Sequence, residues 1–474
     1  MSCNIYDVSC PRYRTVAGLI NPQAAIDDAV ARGGGGVYFP GGNYKLESGL
    51  VVPYAADSAP YDFAPTIHLF GDGPDNTIIE RASGAATFDL LTIRRGFTTV
   101  VGMTFDGGVG SASSGHGIVI GEVHVPGVND GRVYRRIQLR NNVVRNCAQL
   151  GLYVRGGLAA GQPENLQPPI SIQGSYTDCI FGGNKSTAIL IEKRNTTHFF
   201  RGCVVTDFKG HAVHLDGCDG VNFSSARFVQ NLTGATEFAY LTGARACHFD
   251  GCWFEETDGT GTPSWFMYLD TACTGTTISG TSFVRKRNVG KAIAVGATGA
   301  CNGVTILNPR IHLQGGLLAG DNQIWILSGS ETAILGGILE IETPQAPPSP
   351  PTFEYRAIEI NDASNRSALL APNRRLRLPR LTSTDIGQFV ASNLRTSDLI
   401  NRQISDGRIG TGLEALSGSG QWLPVTVNRY PNVGALSSVT SRDRGTLAWA
   451  DTEGRLMVLD GTIWKQVYPA LPPP

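Results

Sequence analysis

The chain has 474 residues and a formal net charge of −1, which argues against binding to nucleic acid through bulk positive charge. Its 59 glycines and its low share of charged residues, 17%, favour β-structure with many turns over helical domains. No apolar run is long enough to span a membrane, and the first ten residues lack the basic and apolar segments of a signal peptide. We therefore expect synthesis in a cytoplasm without a signal peptide and without insertion into a membrane.

The first predicted element is a helix that covers the open end of a stack of strands. Asn21 is a favourable N-cap, Pro22 suits the first helical position, and Gly33 ends the helical pattern. The apolar residues of this segment share one face: Ala25, Ile26, Ala29 and Val30. Because a stack of strands must be covered at its ends, we assign residues 1–36 to an N-terminal segment with a capping helix.

From residue 37 onward a short pattern recurs every 23 to 39 residues. An apolar residue is followed two places later by a residue that tolerates a left-handed backbone, so each repeat is predicted to bend sharply between two strands. The apolar residues are Phe39, Leu69, Val100, Leu139, Ile172, Phe200, Phe223, Phe249, Ile278, Ile306 and Ile334. The residues two places later are Gly41, Gly71, Gly102, Asn141, Gly174, Gly202, Ser225, Gly251, Gly280, Asn308 and Gly336.

A second strand follows within most repeats. These segments are short, β-prone and apolar at alternate positions: 117–121, 151–155, 188–192, 212–216, 238–242, 266–270, 292–296 and 324–328. No helix-length periodic segment fits between them, which excludes helical solenoids and α/β crossover units. The fold class is therefore predicted to be all-β, a single-stranded parallel β-helix of about eleven coils over residues 37–342.

The repeat fades near residue 342. Residues 343–351 are rich in proline and are assigned to a linker. Residues 352–474 differ in character from the coils, and residues 444–467 have the pattern of a small β-meander with an Asp-Gly turn. A small C-terminal β-rich domain is therefore predicted over residues 352–474.

Two groups of residues resemble known proteins. Residues 21–46 and 69–79 resemble the opening of pectate-lyase-like right-handed parallel β-helix proteins, which include bacteriophage tailspikes and polysaccharide-degrading enzymes. Residues 378–385 and 444–464 resemble segments near the ends of phage tail-fibre and spike proteins. The resemblance implies a right-handed helix and a homotrimer, with the C-terminal region used for trimerisation or receptor binding.

The same resemblance implies a spike or fibre on the surface of a phage or phage-like particle, made in a bacterial cytoplasm. Its implied partners are bacterial cell-surface polysaccharide, sister chains and other structural proteins of the particle, and no cofactor is implied. Two alternatives stay open. One is a polysaccharide depolymerase, either a glycoside hydrolase or a lyase, and the other is a purely structural particle protein without a ligand.

Segment 212–216 indicates which side chains face outward. Side chains alternate along a strand, so if Val213 and Leu215 point inward, His214 and Asp216 point outward. The same register predicts a first outward column of Val119, Tyr153, Leu190, His214, Tyr240, Tyr268, Ala294 and Ile326. It predicts a second outward column of Gly121, Arg155, Glu192, Asp216, Thr242, Asp270, Gly296 and Ser328.

The second column places carboxyl groups on nearby coils, which are spaced about 4.8 Å apart. Glu192 and Asp216, one coil apart, suit retaining glycoside hydrolysis, which needs carboxyl groups about 5 Å apart. Asp216 and Asp270, two coils apart, suit the wider separation of inverting enzymes. A lyase would instead use His214 or Tyr240 as its base. The candidate catalytic residues are Glu192, Asp216, Asp270 and His214.

Aromatic rings in the first column offer flat faces to sugar rings. The candidate carbohydrate-binding residues are Tyr153, Arg155, Tyr240 and Tyr268. A rival interpretation is that this column is a subunit interface or plain surface, and that the carboxylates are only solvated. His211 precedes its strand at a turn, so we expect it to lie apart from His214 and Asp216.

Three other patterns predict no site. The Gly-His-Gly around His116 resembles a motif of polygalacturonase-type hydrolases, but the aspartate segments paired with it in that family do not occur earlier in this chain, so a turn is expected. Glu255, Glu256 and Asp258 lack the spacing of a recognised calcium loop, and no metal site is predicted. The ten cysteines form no CxxC pair and are expected to be buried thiols.

Overall fold

The structure is a computed structural model of the chain. It describes residues 5–15, 20–54, 66–82, 87–108, 114–125, 129, 132–156, 170–230, 237–256, 265–285, 291–313, 323–326, 329–330, 332–335 and 338–341. It also describes the strands 358–360, 368–370, 390–391, 413–416, 422–425, 428–430, 447–450, 455–460 and 463–466. The predicted linker, residues 343–351, lies outside the described residues, and the predicted domain boundaries stay predictions.

Most described strands belong to three parallel sheets, which the coils visit in the order first, second, third. The first sheet contains Ile5–Asp7, Gly35–Phe39, Ile67–Gly71, Thr98–Val101, Gln138–Arg140, Ser175–Thr177, Phe199–Arg201, Asn222–Ser224, His248–Asp250, Thr277–Ser279, Thr305–Leu307, Ala333–Leu335 and Ala368–Leu370. The second sheet contains Gly42–Leu46, Thr77–Arg81, Thr104–Asp106, Val143–Arg145, Ile180–Gly182, Val204–Thr206, Arg227–Gln230, Trp253–Glu256, Ser282–Arg285, Arg310–Leu313 and Ile338–Ile341.

The third sheet holds the segments in which the candidate site residues were predicted. It contains Leu50–Val52, Leu91–Ile93, Ile118–Ile120, Leu152–Val154, Ile189–Ile191, Val213–Asp216, Glu237–Thr242, Trp265–Leu269, Lys291–Val295, Ile324–Ile326, Ile358–Ile360 and Val390–Ala391. Each coil therefore has three strands, one more than the two expected from the sequence, because the short strands of the second sheet directly follow the bend. The predicted all-β, right-handed parallel β-helix is confirmed.

The remaining elements are short. Two parallel strand pairs lie beside the three sheets, Val133–Arg135 with Ile170–Ile172 and Cys301–Asn302 with Gly329–Ser330. A 3-10 helix spans Pro11–Tyr13 and an α-helix, α1, spans Pro22–Ala31. Near the C-terminus Leu413–Leu416 pairs with Trp422–Val425, and a four-stranded sheet contains Asn428–Tyr430, Leu447–Ala450, Arg455–Asp460 and Ile463–Gln466.

Helix α1 packs against the first coil, as predicted for a cap. The Asn21 side chain accepts a hydrogen bond from the Ala24 N–H at 3.4 Å, which satisfies one of the free donors at the helix start. The apolar face is fully buried at Ala25, Ile26 and Ala29. This face contacts the strands Gly35–Phe39 and Leu50–Val52, so the helix covers apolar side chains that would otherwise face water.

A left-handed residue ends the first-sheet strand in eight consecutive coils. The φ angles lie between 46° and 67° at Gly102, Asn141, Asp178, Gly202, Ser225, Gly251, Gly280 and Asn308. The predicted bend is correct at seven of these positions. Gly41 and Gly71 lack a positive φ, and Gly336 lies outside the described residues.

Two of the predicted apolar positions are wrong in register. Leu139 pairs with Tyr176, whereas Ile172 pairs with Arg135 in a side strand. The extra strand pair shifts the true first-sheet strand by four residues, so Asp178 takes the place assigned to Gly174. In the first coil Val37, and not Phe39, pairs with Leu69.

Side chains at one position of the first-sheet strands stack on one another inside the β-helix. The ring centroids of Tyr176 and Phe200 are 4.2 Å apart, those of Phe200 and Phe223 4.5 Å, and those of Phe223 and Phe249 5.0 Å. The rings are nearly parallel because equivalent residues of neighbouring coils lie directly above one another.

Buried thiols hold the backbone just after the bend. Among the described residues nine cysteines are free and eight of them are buried, which confirms the expected buried thiols. The thiols of Cys179, Cys203 and Cys252 each donate to a carbonyl oxygen of the preceding coil at 3.3–3.4 Å. The Thr281 hydroxyl makes the same bond to Phe249 at 3.1 Å, so these thiols serve as small hydrogen-bonding core residues.

The register predicts that mutation of two adjacent phenylalanines lowers the free energy of unfolding by very different amounts. Phe200 is 1% exposed within the aromatic stack, whereas Phe199 points outward and is 47% exposed. Phe200→Ala should lower the free energy of unfolding by about 3–5 kcal/mol because it leaves a cavity, whereas Phe199→Ala should change it by about 0.5 kcal/mol or less. Denaturant titration of both variants measures the difference. Equal losses would contradict the inward and outward assignment.

Candidate functional site

The outer face of the third sheet carries the predicted site residues, and we call it the third-sheet face. Its middle column follows the cross-coil pairs Val119–Tyr153–Leu190–His214–Tyr240–Tyr268–Ala294, as predicted. Ile326 was assigned wrongly to this column, because Trp325 pairs with Ala294 and Ile326 is fully buried. Val119 and Ala294 are fully buried as well, so the column is partly open from Tyr153 to Tyr268.

The column that contains the candidate carboxylates also keeps its predicted register. Asp216 pairs with Thr242, and the neighbouring pairs Ile191–Leu215 and Leu241–Leu269 place Glu192 beside Asp216 and Thr242 beside Asp270. Gly121, Arg155 and Gly296 continue the column, and Ser328 lies outside the described residues. Glu192 and Asp216 are therefore on adjacent coils, and Asp270 is two coils beyond Asp216.

The sequence did not predict a third outward column. Its residues lie three positions before those of the middle column in each coil. The cross-coil pair Glu237–Trp265 belongs to it. Its other members are Asp89, His116, Leu150, Thr187 and His211. No signal in the sequence places His211 here, because strict alternation would turn a residue three positions before His214 to the opposite face, and His211 precedes the strand Val213–Asp216.

The N-terminal part of this face forms the His116 cluster, which contains Asp89, His116, Tyr153, Arg155 and Glu192. The Tyr153 hydroxyl donates a short hydrogen bond to Glu192 Oε1, and the Gly156 N–H donates to Glu192 Oε2 at 3.2 Å. The Arg155 guanidinium lies 5.0 Å from the centre of the Tyr153 ring, and one of its nitrogens is 3.9 Å from Asp89 Oδ2. Two separate donors thus fix the orientation of the Glu192 carboxylate.

His116 belongs to this cluster, which corrects the expectation of a simple turn. Its ring centroid is 5.1 Å from that of Tyr153, and its ring Nδ1 accepts from the Leu150 backbone N–H at 3.2 Å. The backbone N–H of His116 donates to Asp89 Oδ1 at 3.0 Å. Burial lowers the pKa of His116, and the charge of Asp89 opposes this shift. A neutral ring that accepts at Nδ1 carries its proton on Nε2.

Burial raises the pKa of Tyr153 well above its ordinary value, and the hydrogen bond to Glu192 raises it further. The phenol therefore stays protonated at neutral pH and acts as a donor. This role differs from that of a catalytic base, which must accept a proton.

The C-terminal part of the face forms the Tyr240 cluster, which contains His211, His214, Glu237, Tyr240 and Asp270. The Tyr240 ring stacks on His211 at 5.0 Å and meets His214 edge-on at 4.9 Å. His211 Nδ1 is 3.1 Å from Glu237 Oε2, and the Tyr240 hydroxyl donates to Asp270 Oδ2 at 2.7 Å. The expectation that His211 lies apart from His214 is wrong, because both rings contact Tyr240.

Two aromatic side chains continue the Tyr240 cluster on the next coil. Tyr268 stacks on Tyr240 at 5.7 Å, and Trp265 lies 6.0 Å from Tyr268. Within the described part of the chain, His214 Nε2 and Asp270 Oδ1 are buried and have no protein hydrogen-bond partner. Buried polar atoms of this kind are costly unless water or a ligand meets them, so the cluster can accept polar groups from a bound molecule.

Asp216 lies between the two clusters. Burial raises the pKa of Asp216, the nearby Lys193 opposes the shift, and Glu192 adds to it. This electrostatic influence shows that the two carboxyl groups interact, as expected for neighbours on adjacent coils. A carboxyl group with a raised pKa can hold a proton under conditions in which other carboxyl groups are ionised.

The described side chains do not form a metal centre. No three His, Cys, Asp or Glu residues in the described ranges are grouped closely enough to hold an ion. Of the acidic residues considered for calcium, Asp258 lies outside those ranges.

No helix in the described part of the chain is long and apolar enough to cross a membrane.

No protein-family model and no curated protein sequence matches this chain. Among solved structures, the DFA-IIIase of Arthrobacter chlorophenolicus A6 is similar with a TM-score of 0.51 and 11% identity, covering 80% of this chain and 100% of that one. The mannuronan C-5 epimerase A-module of Azotobacter vinelandii is similar with a TM-score of 0.47 and 14% identity, covering 78% and 94%. The enzymatically active domain of bacteriophage CBA120 tailspike protein 2 is similar with a TM-score of 0.40 and 11% identity, covering 74% and 44%.

At 11% identity, the similarity to the DFA-IIIase shows a shared fold and no shared activity. Together with the three parallel sheets, it defines the class of the protein by its fold. It is a right-handed parallel β-helix protein.

The Tyr240 cluster predicts an unusual titration of His214. Burial, with a smaller contribution from His211, lowers the pKa of His214 from 6.5 to about 4. The unfolded chain binds this proton at higher pH than the folded protein, so this group makes the fold less stable as the pH falls from about 6.5 to about 4.

NMR titration of labelled histidines measures this pKa, with His214→Gln used to assign the resonance. We expect His214 to stay neutral down to about pH 5 and to titrate near pH 4. A midpoint near 6.5 would contradict the burial of this ring.

Proposed function

We propose that this protein is a spike or fibre protein of a phage or phage-like particle that binds bacterial cell-surface polysaccharide on the third-sheet face. The observation that carries the proposal is the continuous face itself. Tyrosine rings, carboxylates and histidines occupy outward columns of this face, and the contacts in both clusters hold them in place.

The dimensions of the face suit a polymer. Asp89 and Asp270 mark its ends, and six cross-coil steps separate their strands in the third sheet. With a spacing of about 4.8 Å per step, the face is about 29 Å long. A ligand of several sugar units can contact both clusters at once, whereas a single sugar reaches only one of them.

The chemistry of the face suits carbohydrate. The aromatic rings offer apolar surface with a polar edge, and the carboxylates and histidine nitrogens can exchange hydrogen bonds with hydroxyl groups. A few fixed polar groups among aromatic rings are typical of small-molecule binding sites.

The location of exposed apolar side chains supports an open third-sheet face. Phe199 on the first sheet is 47% exposed, and Ile180 and Trp253 on the second sheet are 40% and 39% exposed. Large apolar side chains on a surface are typical of contacts between proteins. In our proposal the sister chains of a homotrimer meet away from the third-sheet face, and the C-terminal region serves trimerisation or receptor binding.

Attachment to a particle is the part of the proposal that rests on sequence resemblance. Residues 378–385 and 444–464 resemble segments near the ends of phage fibres and spikes. The other structural proteins of the particle would then be partners of this chain.

Light scattering should give three times the 50.4 kDa mass of one chain, and a stable monomer would contradict the trimeric spike.

Binding is tested with purified capsular and O-antigen polysaccharides, first on an array and then by calorimetry on those that bind. Tyr240→Ala and Tyr268→Ala should each weaken binding at least roughly tenfold, because central aromatic residues carry much of the binding free energy. Tyr38→Ala is the matched control, since it removes a partly exposed tyrosine ring from the first sheet.

The outcome that contradicts the proposal is equally specific. If Tyr240→Ala and Tyr268→Ala bind as tightly as the natural sequence while Tyr38→Ala does not, the ligand lies on another face. If none of the polysaccharides binds, a purely structural particle protein becomes the better account.

A further inference from the structure

We propose that the third-sheet face also cleaves the bound polysaccharide, with retention of anomeric configuration, through Glu192 as nucleophile and Asp216 as general acid. This inference rests on the proposed binding of polysaccharide to the same face. The two residues lie in one outward column on adjacent coils, as the pair Ile191–Leu215 shows.

The spacing of the coils favours retention. Equivalent positions on adjacent strands are about 4.8 Å apart, and retaining glycosidases hold their two carboxyl groups about 5–5.5 Å apart. Asp216 and Asp270 are two coils apart, which is the separation that suits inversion. However, Asp270 is 92% buried and its Oδ2 already accepts from Tyr240, so Asp270 is better suited to orienting Tyr240 than to reacting with the substrate.

The surroundings of Glu192 suit a nucleophile. Tyr153 donates to Oε1 and Gly156 donates to Oε2, so the plane of the carboxylate is fixed before the substrate arrives. Fixed orientation of a reacting group removes part of the entropic barrier. Tyr153 acts through Glu192 and is therefore a positioning residue.

The surroundings of Asp216 suit a proton donor. It is half-buried beside Glu192 of the preceding coil, with Lys193 also near it, His214 two residues before it in the same strand, and Thr242 facing it from the next coil. Burial and the charge of Glu192 raise the pKa of Asp216 and outweigh the effect of Lys193. Two carboxyl groups in different environments divide the roles of acid and nucleophile.

The reaction needs only water as a second reactant. In the first step Asp216 gives its proton to the glycosidic oxygen, the bond from that oxygen to the anomeric carbon breaks, and a Glu192 oxygen bonds to the same carbon. In the second step Asp216 takes a proton from water, the water oxygen bonds to the anomeric carbon, and the Glu192 carboxylate is released. Two displacements at one carbon leave its configuration unchanged.

The experiment follows the polysaccharide that binds best in the binding assay. Proton NMR of freshly released reducing ends gives their anomeric configuration, and calorimetry gives the Kd of each variant. Glu192→Gln and Asp216→Asn should each lower the rate of release at least roughly a thousandfold and change Kd less than about threefold. Asp250→Asn, which changes an exposed carboxyl group at the end of a first-sheet strand, is the matched control and should keep the full rate.

Tyr153→Phe keeps the ring but removes the hydroxyl that positions Glu192. We expect kcat to fall roughly tenfold while KM stays the same, because only the hydrogen bond is lost. A rise in KM without a fall in kcat would overturn the positioning role. This variant also tests the proposal if Glu192→Gln fails to fold by circular dichroism.

The possible outcomes separate cleavage from binding. Release of new ends with inverted configuration, or with an unsaturated sugar, overturns the assignment of Glu192 and Asp216. Tight binding without release of any ends overturns cleavage and leaves the binding proposal intact. Absence of binding overturns the proposed function itself.

Discussion

Backbone hydrogen bonds between consecutive coils set every other feature of this protein. They hold equivalent residues of neighbouring coils directly above one another, so a side chain's position in its coil decides its environment. Inside the helix this stacking produces the aromatic column of Tyr176, Phe200, Phe223 and Phe249. Outside, it produces columns of polar and aromatic groups on the third sheet. The left-handed residues after eight consecutive first-sheet strands maintain this register, because they turn the chain at the same point in coil after coil.

The candidate site is therefore assembled by stacking and not by proximity in sequence. Tyr153 and Glu192 are 39 residues apart but share a hydrogen bond, and Tyr240 and Asp270 are 30 residues apart and do the same. The site has two clusters with Asp216 between them. Both clusters are rigid in the same way, since a phenol donates to a carboxylate from a neighbouring coil. Such pairs fix the orientation of the carboxylates.

Much of the fold could be predicted because its signals are local. Glycine or asparagine at the bend, alternating apolar residues and the Asn-Pro helix start all act within a few residues, and the structure confirms them. Register errors arose where a long-range feature intervened. The strand Ile170–Ile172 imitates a first-sheet strand, and only its pairing with Val133–Arg135 shows that it is not one. His211 was set aside because it precedes its strand, and His116 because the aspartate segments paired with its motif do not occur earlier in the chain, although the outward column contains both. Contacts among such residues depend on the coil stacking, which no single segment reveals.

The central claim is that the third-sheet face is open and holds the polysaccharide. Electron cryo-microscopy of the intact protein with an oligosaccharide fragment of its best-binding polysaccharide tests this most directly. The account predicts sugar density along the face from the His116 cluster to the Tyr240 cluster, with a glycosidic bond above Glu192 and Asp216 and sister chains in contact elsewhere. Sugar density on the first or second sheet, or a sister chain pressed against Tyr240 and Tyr268, would contradict it.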